Sequence, residues 1–334
     1  MALIVLLFTV SLVLFYAVPR GHSARFDKSM ERFPYPVALI GLRGGVITER
    51  ELIENVVAVR RFYETQDFSQ IGLRVDFSTA DGEKRLKVKE KEIFNKMIED
   101  KASVALGRQY GIRVTPDEAH QGVERTLAEY GTKDTVTSDL GRLYGWSLAD
   151  FEEKVVAPSL YQEKLQAVFK QETQGAADQS KERIEEAAKE LASGKSFADV
   201  ARQYSEGQTA SEGGALGWFR LEDLAPELQT ALPLQKVGTP GSIVESVLGY
   251  HIVLVEETKN ENGTVLYRLS QIFARKADFG DWFKKKVQGM HVLVLSPEYR
   301  WSQDEVRADF RDQELGEFEK KVYESETGDP LFLF

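Results

Sequence analysis

Residues 196–258 constrain this chain more than any other stretch of it. Ser196 is suited to cap a helix, and behind it Phe197, Val200, Ala201 and Tyr204 recur at helical spacing. Gly213-Gly214 then marks a turn, residues 216–219 read as a short strand, and Gly249-Tyr250-His251-Ile252 reads as a closing strand. Helix, glycine turn and strand in this succession predict an α+β unit.

The rest of the composition removes alternatives. At 334 residues the chain exceeds one ordinary core, so two folded units are expected. With 53 acidic against 43 basic residues the net charge is -10, which argues against a groove that binds nucleic acid by neutralising phosphates. Cysteine is absent, so disulfides, thiol nucleophiles and cysteine-ligated zinc are excluded. The histidines are four: His22, His120, His251 and His291. No metal or other cofactor is expected.

Residues 2–18 carry no charge and are rich in Leu, Val, Ile and Phe, ending before Pro19-Arg20. At ~1.5 Å per helical residue they would span roughly 26 Å, near the lower limit for crossing a bilayer. No small-x-small cleavage site precedes Pro19 and no basic region precedes the apolar run, so residues 1–19 are read as an uncleaved anchor in the lipid bilayer. Arg20, Arg25, Lys28 and Arg32 follow it, and the positive-inside rule would put the bulk of the chain on the cytoplasmic side.

Beyond the anchor, residues 37–42 and Val46-Ile47 flank Gly44-Gly45 as a small hairpin. Thr48 with Glu51 forms a capping box ahead of Leu52, Val56, Val59 and Tyr63. A second helix carries Ile93, Phe94, Met97 and Ile98 and stops near Gly111, and Thr115-Pro116-Asp117-Glu118 starts a third. Ser147 caps a fourth, expected to bend or break near Pro158. Residues 35–173 are therefore a mostly helical module, and the small polar residues 174–179 are read as a linker. Ile184, Ala187, Ala188 and Leu191 predict a helix at the entrance of the second unit. Past it, strands are expected over 216–219, 242–247, 251–256 and 265–274, and another near 291–295. A last helix is expected to start at a Ser302 to Glu305 capping box and to turn Phe310 and Phe318 toward the N-terminal helices.

Residues 180–275 resemble a parvulin-type (PpiC-like) peptidyl-prolyl isomerase domain. The likeness rests on Ser196-Phe197-Ala198-Asp199-Val200-Ala201, Tyr204-Ser205, Gly213-Gly214-Ala215-Leu216-Gly217-Trp218-Phe219, Gly238 and Gly249-Tyr250-His251-Ile252. The helical module is similar to the N-terminal chaperone module of SurA-type and PrsA-type proteins, and residues 276–334 would pack back on it as a strand and helix. The family opens with a strand of the form Arg-x-Ser-His-Ile-Leu before its first helix. Here polar residues 171–180 stand in that place, and Arg268-Leu269-Ser270-Gln271-Ile272-Phe273 carries the pattern after the closing strand. This is read as a circular permutation, with the two neighbouring strands joined directly through Asn260-Glu261-Asn262-Gly263. A hairpin centred on Glu261 would set His251 opposite Gln271 on one face.

The resemblance implies rotation about X-Pro bonds in unfolded or newly exported polypeptides, with the bulk of the chain outside the cytoplasm, against the sidedness that the flanking charges favour. Leu216, Phe219, Leu224 and Leu228 would line the proline pocket, and His251, Gln271 and Ser246 would form the polar network beneath. The chain departs from the pattern at four positions: Gln271 replaces the first of two paired histidines, Leu228 a phenylalanine, Leu224 a methionine and Gly207 a cysteine or aspartate. Gln271 keeps hydrogen-bonding capacity and Leu keeps the pocket apolar, so binding of proline segments without catalysis, as a holdase, is the alternative. Taken alone, His251 would read as a core histidine. Gly194-Lys195-Ser196 lacks the first glycine of a phosphate loop, Lys189 standing there, and Asn262-Gly263-Thr264 is explained by a turn.

Overall fold

A computed structural model describes residues 35–41, 44–66, 76–261 and 263–324 as an α+β protein. The apolar residues 2–18 lie outside the described residues, and among the latter no helix is long and apolar enough to cross a membrane. The chain divides into two compact units, 1–167 with 283–334, and 168–282.

The first unit opens with the hairpin β1 (Pro36–Ile40) and β2 (Gly45–Thr48), then α1 (Glu49–Thr65) and α2 (Ala80–Gln109). Thr48 and Glu51 close the capping box ahead of α1, the Thr48 N–H donating to Glu51 Oε2 at 2.7 Å. α3 (Pro116–Tyr130) has the same box on Thr115 and Glu118, with Pro116 at its first turn. Two short helices follow, α4 (Lys133–Asp139) and α5 (Leu148–Phe151), and then α6 (Ala157–Ala192). The expected disturbance at Pro158 is a π-turn over Glu152–Val156, which shifts the ladder where proline offers no N–H.

The linker reading of residues 174–179 is corrected, because they lie inside α6. Gly175 is the one poor helix former there, and a single glycine costs only about 1 kcal/mol against alanine. The second unit continues through α7 (Phe197–Tyr204), β3 (Ala215–Arg220), α8 (Pro226–Ala231), β4 (Val244–Glu245), β5 (Gly249–Glu261) and β6 (Thr264–Arg275). Its sheet is antiparallel in the order β3-β6-β5-β4. Helix α9 (Phe279–Gln288) crosses back into the first unit.

There β7 (Val292–Val294) pairs with β1, and β8 (Tyr299–Ser302) with β9 (Arg307–Phe310) precede α10 (Gln313–Glu324). The helix expected from Ser302 is therefore corrected to a hairpin. Ser302 Oγ does accept the Glu305 N–H at 3.3 Å, as a cap would. Val306 then turns to φ 56° and the chain reverses, while Asn95 of α2 takes both backbone groups of Ala308, donating to its oxygen at 3.0 Å and accepting from its nitrogen at 2.6 Å. Phe310 is buried in the core that Phe94 and Ile98 of α2 share with Tyr299, and Phe318 of α10 packs against the same cluster.

Candidate functional site

The sheet of the second unit separates two apolar layers, as period-two alternation requires. Ile252, Ile272 and Ala274 meet Ile184 and Ala187 of α6 and Val200 and Ala201 of α7 on one face. Val253, Val255 and Leu269 meet Leu228 and Leu232 on the other, with Leu216, Phe219, Leu224 and Val244 half-buried around them. All four residues expected to line a pocket thus share one cluster. Leu216 and Phe219, three apart, reach the same face because β3 slips register against β6 between Ala215 and Gly217. Leu228 is buried, whereas the other three keep exposed surface.

β6 takes the central place beside β5 even though it follows β5 in the chain, joined to it by a tight turn in which Glu261 pairs with Thr264 and Gly263 has φ 87°. The turn lies later than a hairpin centred on Glu261, so the expected pairing is corrected by two residues. His251 pairs with Phe273, and Gln271 with Val253. The ladder is uninterrupted between these pairs, so His251 and Gln271 remain on one face as diagonal neighbours.

The polar residues converge. Ser246 Oγ lies 2.7 Å from His251 Nε2, accepts the Leu248 N–H at 3.1 Å and stands 3.3 Å from the Gly249 oxygen. Placing the imidazole proton on Nε2 completes this set: the hydroxyl accepts twice and donates once, to Gly249. Nδ1 is buried with no hydrogen-bond partner. Burial pushes the imidazole below its ordinary pKa; hydrogen bonding with the Gln271 side chain, outside ordinary hydrogen-bond geometry at Nδ1, and the Glu227 carboxylate pull upward, and Lys276 adds to the lowering.

Glycines shape the walls. A Cβ on Gly214 would stand 2.4 Å from the Gln271 backbone oxygen, in a residue at φ 83° whose own oxygen accepts the Gln271 N–H at 2.8 Å. A Cβ on Gly249 would meet the Ala274 oxygen at 2.2 Å. Two further contributors, Phe273 and Ser205, stand in the sequence only as parts of the strand and helix patterns. Phe273 lays its ring 4.9 Å from that of His251, which a hairpin placed two residues later would have revealed. Ser205, directly after the helical stripe, accepts the N–H of Phe273 at 3.1 Å and of Gly207 at 3.2 Å, and so ties the end of α7 to β6. Among the described residues no cluster of three or more His, Asp or Glu side chains is arranged to hold a metal ion.

The sheet thus presents an apolar face that ends in a buried imidazole. In comparison with known proteins, the profile of the family described as "Rotamase: PPIC-type PPIASE domain" matches residues 164–257. The match ends before β6. The chain is also similar to "Chaperone SurA" of Chromobacterium violaceum, 32% identical over 112 residues that cover 32% of this chain and 26% of that one. For "Chaperone SurA" of Bordetella avium the identity is 35% over 114 residues, covering 32% and 22%. These matches span about a quarter of the relatives' length. The crystal structure of "Peptidylprolyl Isomerase (PrsA)" from Bacillus anthracis is 20% identical and covers 69% of this chain and 96% of that one, at a TM-score of 0.21, too low to bear on the overall arrangement.

Proposed function

We propose that this protein is a peptidyl-prolyl cis-trans isomerase that assists the folding of exported polypeptides and is held at a membrane by residues 2–18. The single observation that carries the catalytic part is the His251–Ser246 contact of 2.7 Å at the end of the apolar face bearing Leu216, Phe219, Leu224 and Leu228.

The chemistry asked of such a site is modest. An X-Pro bond resists rotation by about 20 kcal/mol because of amide resonance, and its uncatalysed exchange takes tens of seconds or longer. Rotation passes through a twisted state that loses conjugation and gathers lone-pair density on the proline nitrogen. An apolar seat for the pyrrolidine ring, with a few fixed polar groups beside it, favours that state over the planar one without nucleophile or metal. Leu216, Phe219 and Leu224 supply the seat, packed with the buried Leu228, and Ser246, His251 and Gln271 supply the oriented polar groups.

The test is a proline-limited refolding assay with the chain from about residue 30 onward. The refolding rate rises with added protein, and His251→Ala blunts the effect. A holdase is the second reading, favoured by Gln271 standing where the resemblance puts a histidine and by the unpartnered Nδ1. It takes over if aggregation is suppressed with no change of rate. The apolar run alone supports the tether, and protease protection on intact cells reports both attachment and side.

A further inference from the structure

The turn that carries Ser246 has little to hold it. Val247 and Leu248 are 88% and 67% exposed, so no packing fixes the path between β4 and β5. Within the turn, the Ser246 N–H donates to the Gly249 oxygen at 2.8 Å. The Leu248 N–H also donates to Ser246 Oγ at 3.1 Å, and from outside the turn the restraint comes from Lys276, one residue past β6. Its backbone N–H donates to the Leu248 oxygen at 3.0 Å, and its Nζ donates to the Ser246 oxygen at 3.0 Å and to Glu245 Oε1 at 2.5 Å. The same ammonium stands 4.8 Å from the centre of the Tyr250 ring. Three anchors on residues 245–248, all from one lysine, brace the segment that presents the Ser246 hydroxyl to His251.

From this we infer that Lys276 is a positioning residue of the site, fixing the Ser246 turn and through it the tautomer and orientation of His251. Strand β6 thus contributes more than Gln271: its exit locks the polar end of the apolar face. A cation in this place is tied by Glu245 and is not free to pair with a client carboxylate. The inference rests on the isomerase reading only for its catalytic consequence. The charged groups around the imidazole are Glu227 from α8 and Lys276, with Glu245 of β4 held on the lysine.

The experiment compares the full chain with Lys276→Met and Lys276→Arg by nitrogen-15 NMR of the imidazoles and by proline-limited refolding. The wild type shows one neutral tautomer at His251, protonated on Nε2. Lys276→Met shows a mixture, because the hydroxyl no longer stays in place, and its kcat falls by about tenfold with KM nearly unchanged, the loss expected when a reacting group is misplaced but the apolar seat is intact. Lys276→Arg restores both readouts. A single Nε2-protonated tautomer retained in Lys276→Met overturns the inference, as does an arginine variant that behaves like methionine. If the wild type accelerates no refolding, the isomerase reading fails, and the nitrogen-15 spectra still decide the role of Lys276.

Discussion

Gln271 faces the ring of His251 from one diagonal step along the sheet, pairing with Val253 while His251 pairs with Phe273. Diagonal side chains on one face lie within reach of a long or aromatic residue. The resemblance places a histidine where Gln271 stands, and His251 Nδ1 lacks a partner. Gln271→His therefore exchanges the amide contact that already bears on the imidazole for a second ring nitrogen that can hydrogen-bond it. Where that bond orients the polar end for the twisted state and not for the planar one, about 0.5–1.5 kcal/mol corresponds to about two- to tenfold in rate. The catalysed component of proline-limited refolding is expected to rise by that factor, and an unchanged rate would show that Nδ1 plays no part.

The buried imidazole also makes stability depend on pH with a definite sign. Its folded pKa lies below the ordinary histidine value of about 6.5, with burial as the leading cause. Between those two values the unfolded chain binds a proton that the folded ring refuses. The stabilising contribution is therefore complete above about pH 7 and is lost as pH falls through the ordinary value toward the folded one. Urea midpoints of the wild type and His251→Gln, taken from pH 7.5 down to 5, isolate this group. The wild type should lose ground against the variant as the solution is acidified, and a gap that widens in its favour would reverse the assignment.

What could be read from the chain beforehand was mostly local. The boxes on Thr48 and Thr115, the Ser196 cap and the Gly213-Gly214 turn each depend on residues within a few positions, and each stands where the spacing put it. The pairing of β6 with β5 was also legible, since Arg268 to Phe273 keeps a strand pattern and a strong turn joins it to β5. The exact register was not, because a shift at Glu256 and the placement of the turn together move the pairing by two residues without changing the face. At Ser302 the local signal was real but outvoted: the cap-like bond forms, while Tyr299, Ala308 and Phe310 bury with strand alternation against α2. Lys276 gave no signal, since its partners lie 28–31 residues earlier and are largely backbone oxygens.

Gly214 combines two demands that only glycine meets. Its φ of 83° is strained for any other residue, and an added Cβ would sit 2.4 Å from the Gln271 oxygen and 3.1 Å from the Ala201 Cβ. Strained backbone alone costs of order 1–3 kcal/mol, and the clash adds to it by pushing β6 away from the turn. Gly214→Ala should lower the urea midpoint by at least about 2 kcal/mol of stability with an unchanged m-value. Because the displaced strand carries Gln271, its refolding activity should fall as well. A variant of wild-type stability would mean that the turn is not pressed on the sheet.

Phe310 closes the core of the first unit from the far end of the chain. It is 6% exposed, its ring centre lies 5.7 Å from that of Tyr299, and the Lys91 ammonium stands 5.0 Å from it. Lys91, itself 3% exposed, reaches Glu319 of α10 at 2.5 Å, so the aromatic ring and the ion pair fasten the same junction of α2, β9 and α10. Truncating a buried phenylalanine removes both transfer energy and packing and costs about 3–5 kcal/mol. Phe310→Ala is therefore expected to destabilise the first unit by that amount and to release α10, seen as faster amide exchange over residues 313–324 than in the wild type. The His251 imidazole spectrum should stay as it is, because the loss falls within the unit formed by 1–167 and 283–334. Protection of α10 equal to that of the wild type would show that the helix is held by its ion pairs alone, with the ring a bystander.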